Sequence, residues 1–230
     1  MSENLKAILE KIGIFPSDQK LYQTAFTHRS FLNESKEAKQ SNERLEFLGD
    51  SVLSFIVSTR LFKARVSDTE GELTNLRAYI VKTESLAKAS RNLGLGNFLK
   101  LSRGEESSGG RENTQLLANT YEALLGAIFL DLGIETAVTF VTKTLLPVFT
   151  DEIEKGAPRD PKSQLQEIVQ SRFQTSPRYK ILSTSGPDHA KRFNVGVFLK
   201  NEQVGQGDGS NKQQAEEEAA KIALVKLIKK

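Results

Sequence analysis

Five oxygen-bearing side chains sit where apolar ones would be expected. In SNERLEFLGDSVLSFIV, residues 41–57, Glu43, Glu46 and Asp50 share one helical segment whose second half is apolar. At 3.6 residues per turn the three acids fall within about 60° of one another, stacked on one side. Arg44 is the only cation in that stretch. Like charges spaced i, i+4 weaken a helix, and burying them unpaired costs several kcal/mol each or forces protonation. A second apolar segment, LLANTYEALLGAIFLD at residues 116–131, places Asn119 and Glu122 three residues apart on one face. Two such helices meeting face to face would offer several carboxylate oxygens and one amide oxygen. A hard divalent cation, Mg2+ with Mn2+ able to substitute, neutralises that donor set. The two histidines, His28 and His189, do not follow a Glu by three residues, which excludes a di-iron carboxylate bundle. Mg2+ held by few protein ligands keeps its waters and commonly serves phosphoryl chemistry.

The elements that must position these residues divide the chain in two. From Asn4 to about Thr150 apolar residues recur at helical spacing, broken at Gly94 and Gly96 and at the polar run SRGEESSGGREN, residues 102–113. DEIEKGAPRDPKS then has the composition of a linker. Beyond it come a helix (KSQLQEIVQSRF), two alternating strands (RYKILSTSG and KRFNVGVFLK) and a short third strand (EQVGQGDG). A long final helix begins at NKQQAEEEAA. The predicted fold is an all-α domain over 1–150, a linker over 151–160 and a small α-β-β-β-α unit over 161–230.

With 38% hydrophobic and 27% charged residues, the 230-residue chain has ordinary globular composition. The absence of cysteine excludes disulfides, thiolate zinc sites and a cysteine nucleophile, and fits a reducing, cytoplasmic interior. No apolar run approaches the roughly 20 residues of a membrane span, so no membrane partner is expected. Residues 160–230 carry 12 Lys/Arg against 8 Asp/Glu, whereas the rest is near neutral. That asymmetry points to an anion-binding module joined to a different one.

NERLEFLGDSVL at residues 42–53 resembles the signature of bacterial ribonuclease III. The likeness extends through FTHRSFLNE, EGELTNLRAYIV, RGEESSGGR and LLANTYEALLGAIFLD. The second part resembles a double-stranded RNA-binding domain, with LQEIVQ, GPDHAKRF and GQGDGSNKQQAEEEAA in the expected order. The resemblance implies a helical endonuclease domain followed by a double-stranded RNA-binding domain. It also implies a homodimer that cuts both strands of duplex RNA with Mg2+ in processing structured RNA precursors, leaving 5′-phosphate and 3′-hydroxyl ends. By position, Glu46, Asp50, Asn119 and Glu122 would hold the metal, Asp50 and Glu122 being catalytic. Glu43 and Glu70 would be cleft acids, and Phe47 would reach into the partner subunit. Gln166, Gln170, His189, Ser210, Asn211 and Lys212 would face RNA through its grooves and phosphates.

Two positions depart from the family pattern. Asn119 stands where the family usually has Asp, which removes one negative charge. Three explanations stay open: a working natural variant, a substitution made to trap substrate, or a chain that binds duplex without cutting. Gln213 follows Lys212 where the family commonly has a second basic residue, which predicts weaker phosphate binding.

Overall fold

The computed structural model describes residues 3–35, 38–156, 161–187 and 191–228. The chain divides into two compact units, Met1–Ala157 and Pro158–Lys230. The first is helical: α1 (Glu3–Lys11), α2 (Gln19–Ala25), α3 (Glu43–Ala64), α4 (Glu70–Val81), α5 (Thr83–Asn92), α6 (Arg103–Ser107), α7 (Thr114–Thr144) and α8 (Thr150–Lys155). The second contains α9 (Pro161–Phe173), β1 (Arg178–Ser185), β2 (Arg192–Leu199), β3 (Glu202–Gly209) and α10 (Lys212–Ile228). Its strands form one antiparallel sheet in the order β1-β2-β3.

In the first unit α3 and α7 share the most extensive interface, and α2 and α5 also pack on α7. Leu45, Leu53, Ile56 and Val57 of α3 meet Tyr121, Leu124, Leu125 and Ile128 of α7 in one buried core. Two glycines set how close the helices come. A Cβ on Gly49 would fall inside the carbonyl oxygen of Glu122, and one on Gly126 inside that of Leu45. The helices therefore touch backbone to backbone, and each glycine faces a peptide group of the other helix.

Three features differ from the sequence reading. The polar run at 102–113 is built: Ser102 caps α6, and the Arg111 guanidinium donates to the carbonyls of Gly96, Asn97 and Leu99. The expected linker begins later, because Thr150–Lys155 is helical. There Ile153 packs on the core and Arg65 donates to the Glu154 carbonyl. Finally, α7 is long and apolar enough for a membrane span by length and composition, contrary to expectation. Gly133 breaks its helical geometry at φ 79°, and α7 lies at the centre of the core. It is the buried spine of a helical domain.

In the second unit Gly205, Gly207 and Gly209 present their backbones to Ala215, Ala219 and Ala223 of α10. Alternating glycines facing alanines at i, i+4, i+8 let β3 lie flat against the helix.

Adding a methyl at Gly126 should force α3 and α7 apart. In an open helix Gly→Ala stabilises by about 1 kcal/mol. Gly126→Ala is instead expected to destabilise the chain by about 2–3 kcal/mol, the cost of overpacking. Gly71→Ala in α4, where a Cβ meets nothing within 4 Å, serves as the control and should hold or gain stability. Urea denaturation of both variants checks the difference.

Candidate functional site

The α3–α7 crossing brings the sequence-predicted acids together. Glu122 is half-buried one turn before Gly126, and Glu46 and Asp50 flank Gly49 on the facing helix. Burial, then the charge of Asp50, then that of Glu46 push the Glu122 carboxyl up to about 8. Glu46 is also raised, by burial first and then by Glu43, while a side-chain hydrogen bond with Asn119 pulls it the other way. Asn119 in turn accepts a hydrogen bond at its Oδ1 from Gln115 Nε2, at 2.7 Å.

Glu43 lies at the rim and has partners the sequence did not suggest. Arg29 Nη1 approaches Glu43 Oε1 at 3.1 Å, and Ser41 Oγ donates to Oε2 at 2.7 Å. The cation for the acidic helix thus comes from the 3-10 turn Arg29–Asn33, not from the exposed Arg44. His28 caps that turn, and Ser30 Oγ accepts from Ser102 N at 3.0 Å, so Arg29 springs from an anchored segment.

Glu70 opens α4 and accepts from Thr74 Oγ1 at 3.1 Å. It is not among the charges acting on Glu46 or Glu122. Phe47 is 77% exposed on α3.

The donor set fits a hard divalent cation by charge. Among the described residues none of Glu46, Asp50 and Glu122 is in an ion pair, and Glu122 feels the charges of the other two without a countercharge. Among the same residues no three Asp, Glu or His side chains are gathered closely enough to cage an ion. An ion held here would keep much of its water, as Mg2+ does when bound through one or two carboxylates.

In the second unit Gln166 and Gln170 are exposed one turn apart on α9. At the start of α10, Asn211 Oδ1 accepts from Gln214 N at 2.9 Å, and Ser210 Oγ donates to Gln214 Oε1 at 2.6 Å. Asn211 is thus the cap, and Ser210 instead holds the Gln214 side chain. Lys212 Nζ lies 3.7 Å from Glu216 Oε1, and Lys162 Nζ lies 2.5 Å from Oε2. One carboxylate therefore joins the first turns of α9 and α10. His189 lies outside the described residues.

A Ribonuclease-III-like family model matches residues 18–149, and a double-stranded RNA binding motif matches residues 161–227. Ribonuclease 3 of Pelotomaculum thermopropionicum is 44% identical over 225 residues, covering 97% of this chain and 93% of that one. The chain belongs to the ribonuclease III family. Ribonuclease 3 of Streptococcus gordonii is 45% identical over 226 residues, covering 97% and 96% of the two chains. The solved nuclease domain of ribonuclease III from Campylobacter jejuni is 38% identical with a TM-score of 0.59. It covers 63% of this chain and 98% of that one, and its region involved in dimer formation is described as flexible. The chain is accordingly an endoribonuclease acting on double-stranded RNA, in a family that generally depends on a divalent metal.

The sequence reading missed Arg29, Gln115 and the glycine pair. Glycine inside a helix costs about 1 kcal/mol against alanine, so Gly49 and Gly126 carried the signal of a close crossing. Arg29 and Gln115 had no comparable mark.

The raised Glu122 carboxyl gives metal-free stability a definite pH dependence. The folded chain binds this proton more tightly than the unfolded chain, so it contributes stability at low pH. That contribution is lost as pH rises through the window from 4.5 to about 8. With EDTA present, the urea midpoint should fall from about pH 5 to about pH 8.5, and Glu122→Gln should flatten the slope.

Proposed function

We propose that the chain is a Mg2+-dependent homodimeric endonuclease that processes structured RNA precursors in the cytoplasm, leaving 5′-phosphate and 3′-hydroxyl ends. The observation that carries the cation dependence is the half-buried Glu122, faced by Asp50 and Glu46 with no cation among the described residues. Glu46, Asp50 and Glu122 would hold the ion, with Asn119 beside them. When bound, it supplies Lewis acidity at the scissile phosphate and an acidified water. Glu122, deepest of the three, is suited to hold and pass a proton close to the reacting oxygen. Glu43, fixed by Arg29 and Ser41, forms the rim, and Glu70 is assigned to the cleft by resemblance. Gln166, Gln170, Ser210, Asn211, Lys212 and His189 are proposed to contact the duplex. Asn211 and Ser210 would act mainly by shaping the helix terminus that receives a phosphate.

The homodimer is supported by an apolar stripe on α3. Phe47, Phe55 and Phe62 are 77%, 60% and 72% exposed and lie within about 80° around the helix. Burying a phenylalanine side chain yields about 1.5–3 kcal/mol, so this stripe is costly to leave in water. Of these residues only Phe47 was singled out from the sequence, because α3 is apolar nearly all round.

Cleavage of long duplex RNA, titrated with Mg2+ and with Mn2+, tests the activity. Wild type should cut, Glu122→Gln should bind duplex without cutting, and Asn119→Asp should lower the Mg2+ concentration required. No cleavage by wild type at any Mg2+ or Mn2+ concentration, together with cutting by Asn119→Asp, would leave duplex binding as the function.

Sedimentation tests the assembly. Wild type should run as a dimer, and Phe62→Glu, which puts a charge into the stripe, should run as a monomer. A monomeric wild type would contradict the assignment.

A further inference from the structure

The acidic run at residues 216–218 reads as a solvated stretch, yet its first member turns inward. Along α10 the buried side chains Ala215, Ala219, Ala220, Ala223 and Leu227 form one stripe. At 100° per residue Glu216 falls inside that stripe, between Ala223 and Leu227, whereas Glu218 falls on the opposite side. The Glu216 side chain is 12% exposed, against 47% for Glu218. A carboxylate so placed is costly unless it is paired. Glu216 is paired twice: Lys162 Nζ of α9 lies 2.5 Å from Oε2, and Lys212 Nζ lies 3.7 Å from Oε1. Lys162 also lies over the Tyr179 ring of β1, 5.0 Å from its centroid. One sheltered carboxylate therefore ties together the starts of α9 and α10, with β1 beneath the tie.

Stability alone does not call for this ion pair, since an apolar pair of similar volume commonly does as well or better. What the pair fixes is a spacing. Lys162, Gln166 and Gln170 follow one another at i, i+4 and i+8 and lie within about 80° around α9. The two glutamines are exposed, and Lys212 is 63% exposed at the start of α10. We propose that Glu216 is a positioning residue for duplex RNA. Its Oε2, held by Lys162, sets α10 against the Gln166–Gln170 stripe, and its Oε1 holds the Lys212 ammonium where it meets a phosphate. This rests on the duplex contacts proposed above for Gln166, Gln170 and Lys212. An ammonium has three donors, so Lys212 can keep Glu216 and still offer donors to a phosphate. Duplex RNA is read by shape, through minor-groove hydroxyls and the phosphates across the intervening major groove. A fixed spacing between the two sets of contacts is what such a reading needs.

Charge alone predicts the opposite of positioning. Removing an acid beside a phosphate-binding lysine should tighten RNA binding, whereas losing the position of that lysine should weaken it. The test measures binding of the full-length chain to a fully paired RNA of about 16 base pairs, in EDTA and across a salt series. Glu216→Gln is expected to bind about fivefold more weakly near physiological salt, with a salt slope smaller by about one, as for one lost phosphate contact. Lys212→Ala should do the same, and the two substitutions together should do no more than either. Lys162→Met with Glu216→Met strands no charge in the stripe, so it should keep the wild-type urea midpoint and still bind weakly. Either Glu216 variant binding as tightly as wild type with an unchanged slope would overturn the inference. Additive losses from Glu216→Gln and Lys212→Ala would overturn it too. An unchanged affinity and slope in Lys212→Ala would instead overturn the contact assignment on which the inference rests.

Discussion

The backbone contact between α3 and α7 is the constraint on which the rest of the nuclease unit depends. Gly49 lies against the Glu122 carbonyl and Gly126 against that of Leu45, so neither helix could approach as closely with any other residue there. Each glycine costs about 1 kcal/mol of helix propensity, offset by the apolar surface that the close crossing buries. The same approach removes Glu122 from water and sets it opposite Asp50 and Glu46. Charges in so sheltered a place interact far more strongly than at an open surface. Packing and chemistry are thus one feature: the glycines that close the core also create the demand for a cation.

That demand is graded along the cleft. Glu43 at the rim is met by Arg29 and by Ser41. Glu46, one turn further, has only the Asn119 amide to set against the charges of Glu43 and Asp50. Glu122, the deepest, has no offsetting partner, and burial with the charges of Asp50 and Glu46 pushes its carboxyl up to about 8. The compensation thins from outside inward, and the least compensated carboxyl, Glu122, lies where the reaction is proposed to occur.

Helical periodicity and the carboxylate spacing were legible in the sequence because both are local: 3.6 residues per turn places Glu43, Glu46 and Asp50 on one side of any helix. The α-β-β-β-α order of the second unit was legible for the same reason. What was not legible depends on contacts between segments far apart. Arg29 reaches Glu43 from a 3-10 turn 14 residues away, and Glu34 binds Arg103 N across 69 residues to order a run that reads as loop. The α8 helix sits in linker-like sequence because Arg65 and the core hold it. The Phe55 and Phe62 stripe was hidden because an all-round apolar helix does not announce which face stays bare. Identity of substrate came from family likeness, since carboxylate geometry alone specifies a cation and not a duplex.

The central claim is that the α3–α7 crossing builds one divalent-cation site from Glu46, Asp50 and Glu122. Crystals grown with Mn2+ test it most directly, through an anomalous difference map recorded near the manganese edge. The account predicts a single strong region of density between these three side chains, opposite the Gly49–Glu122 contact. A map with no peak there, or with manganese bound elsewhere on the nuclease unit while the three acids stay apart, would contradict it.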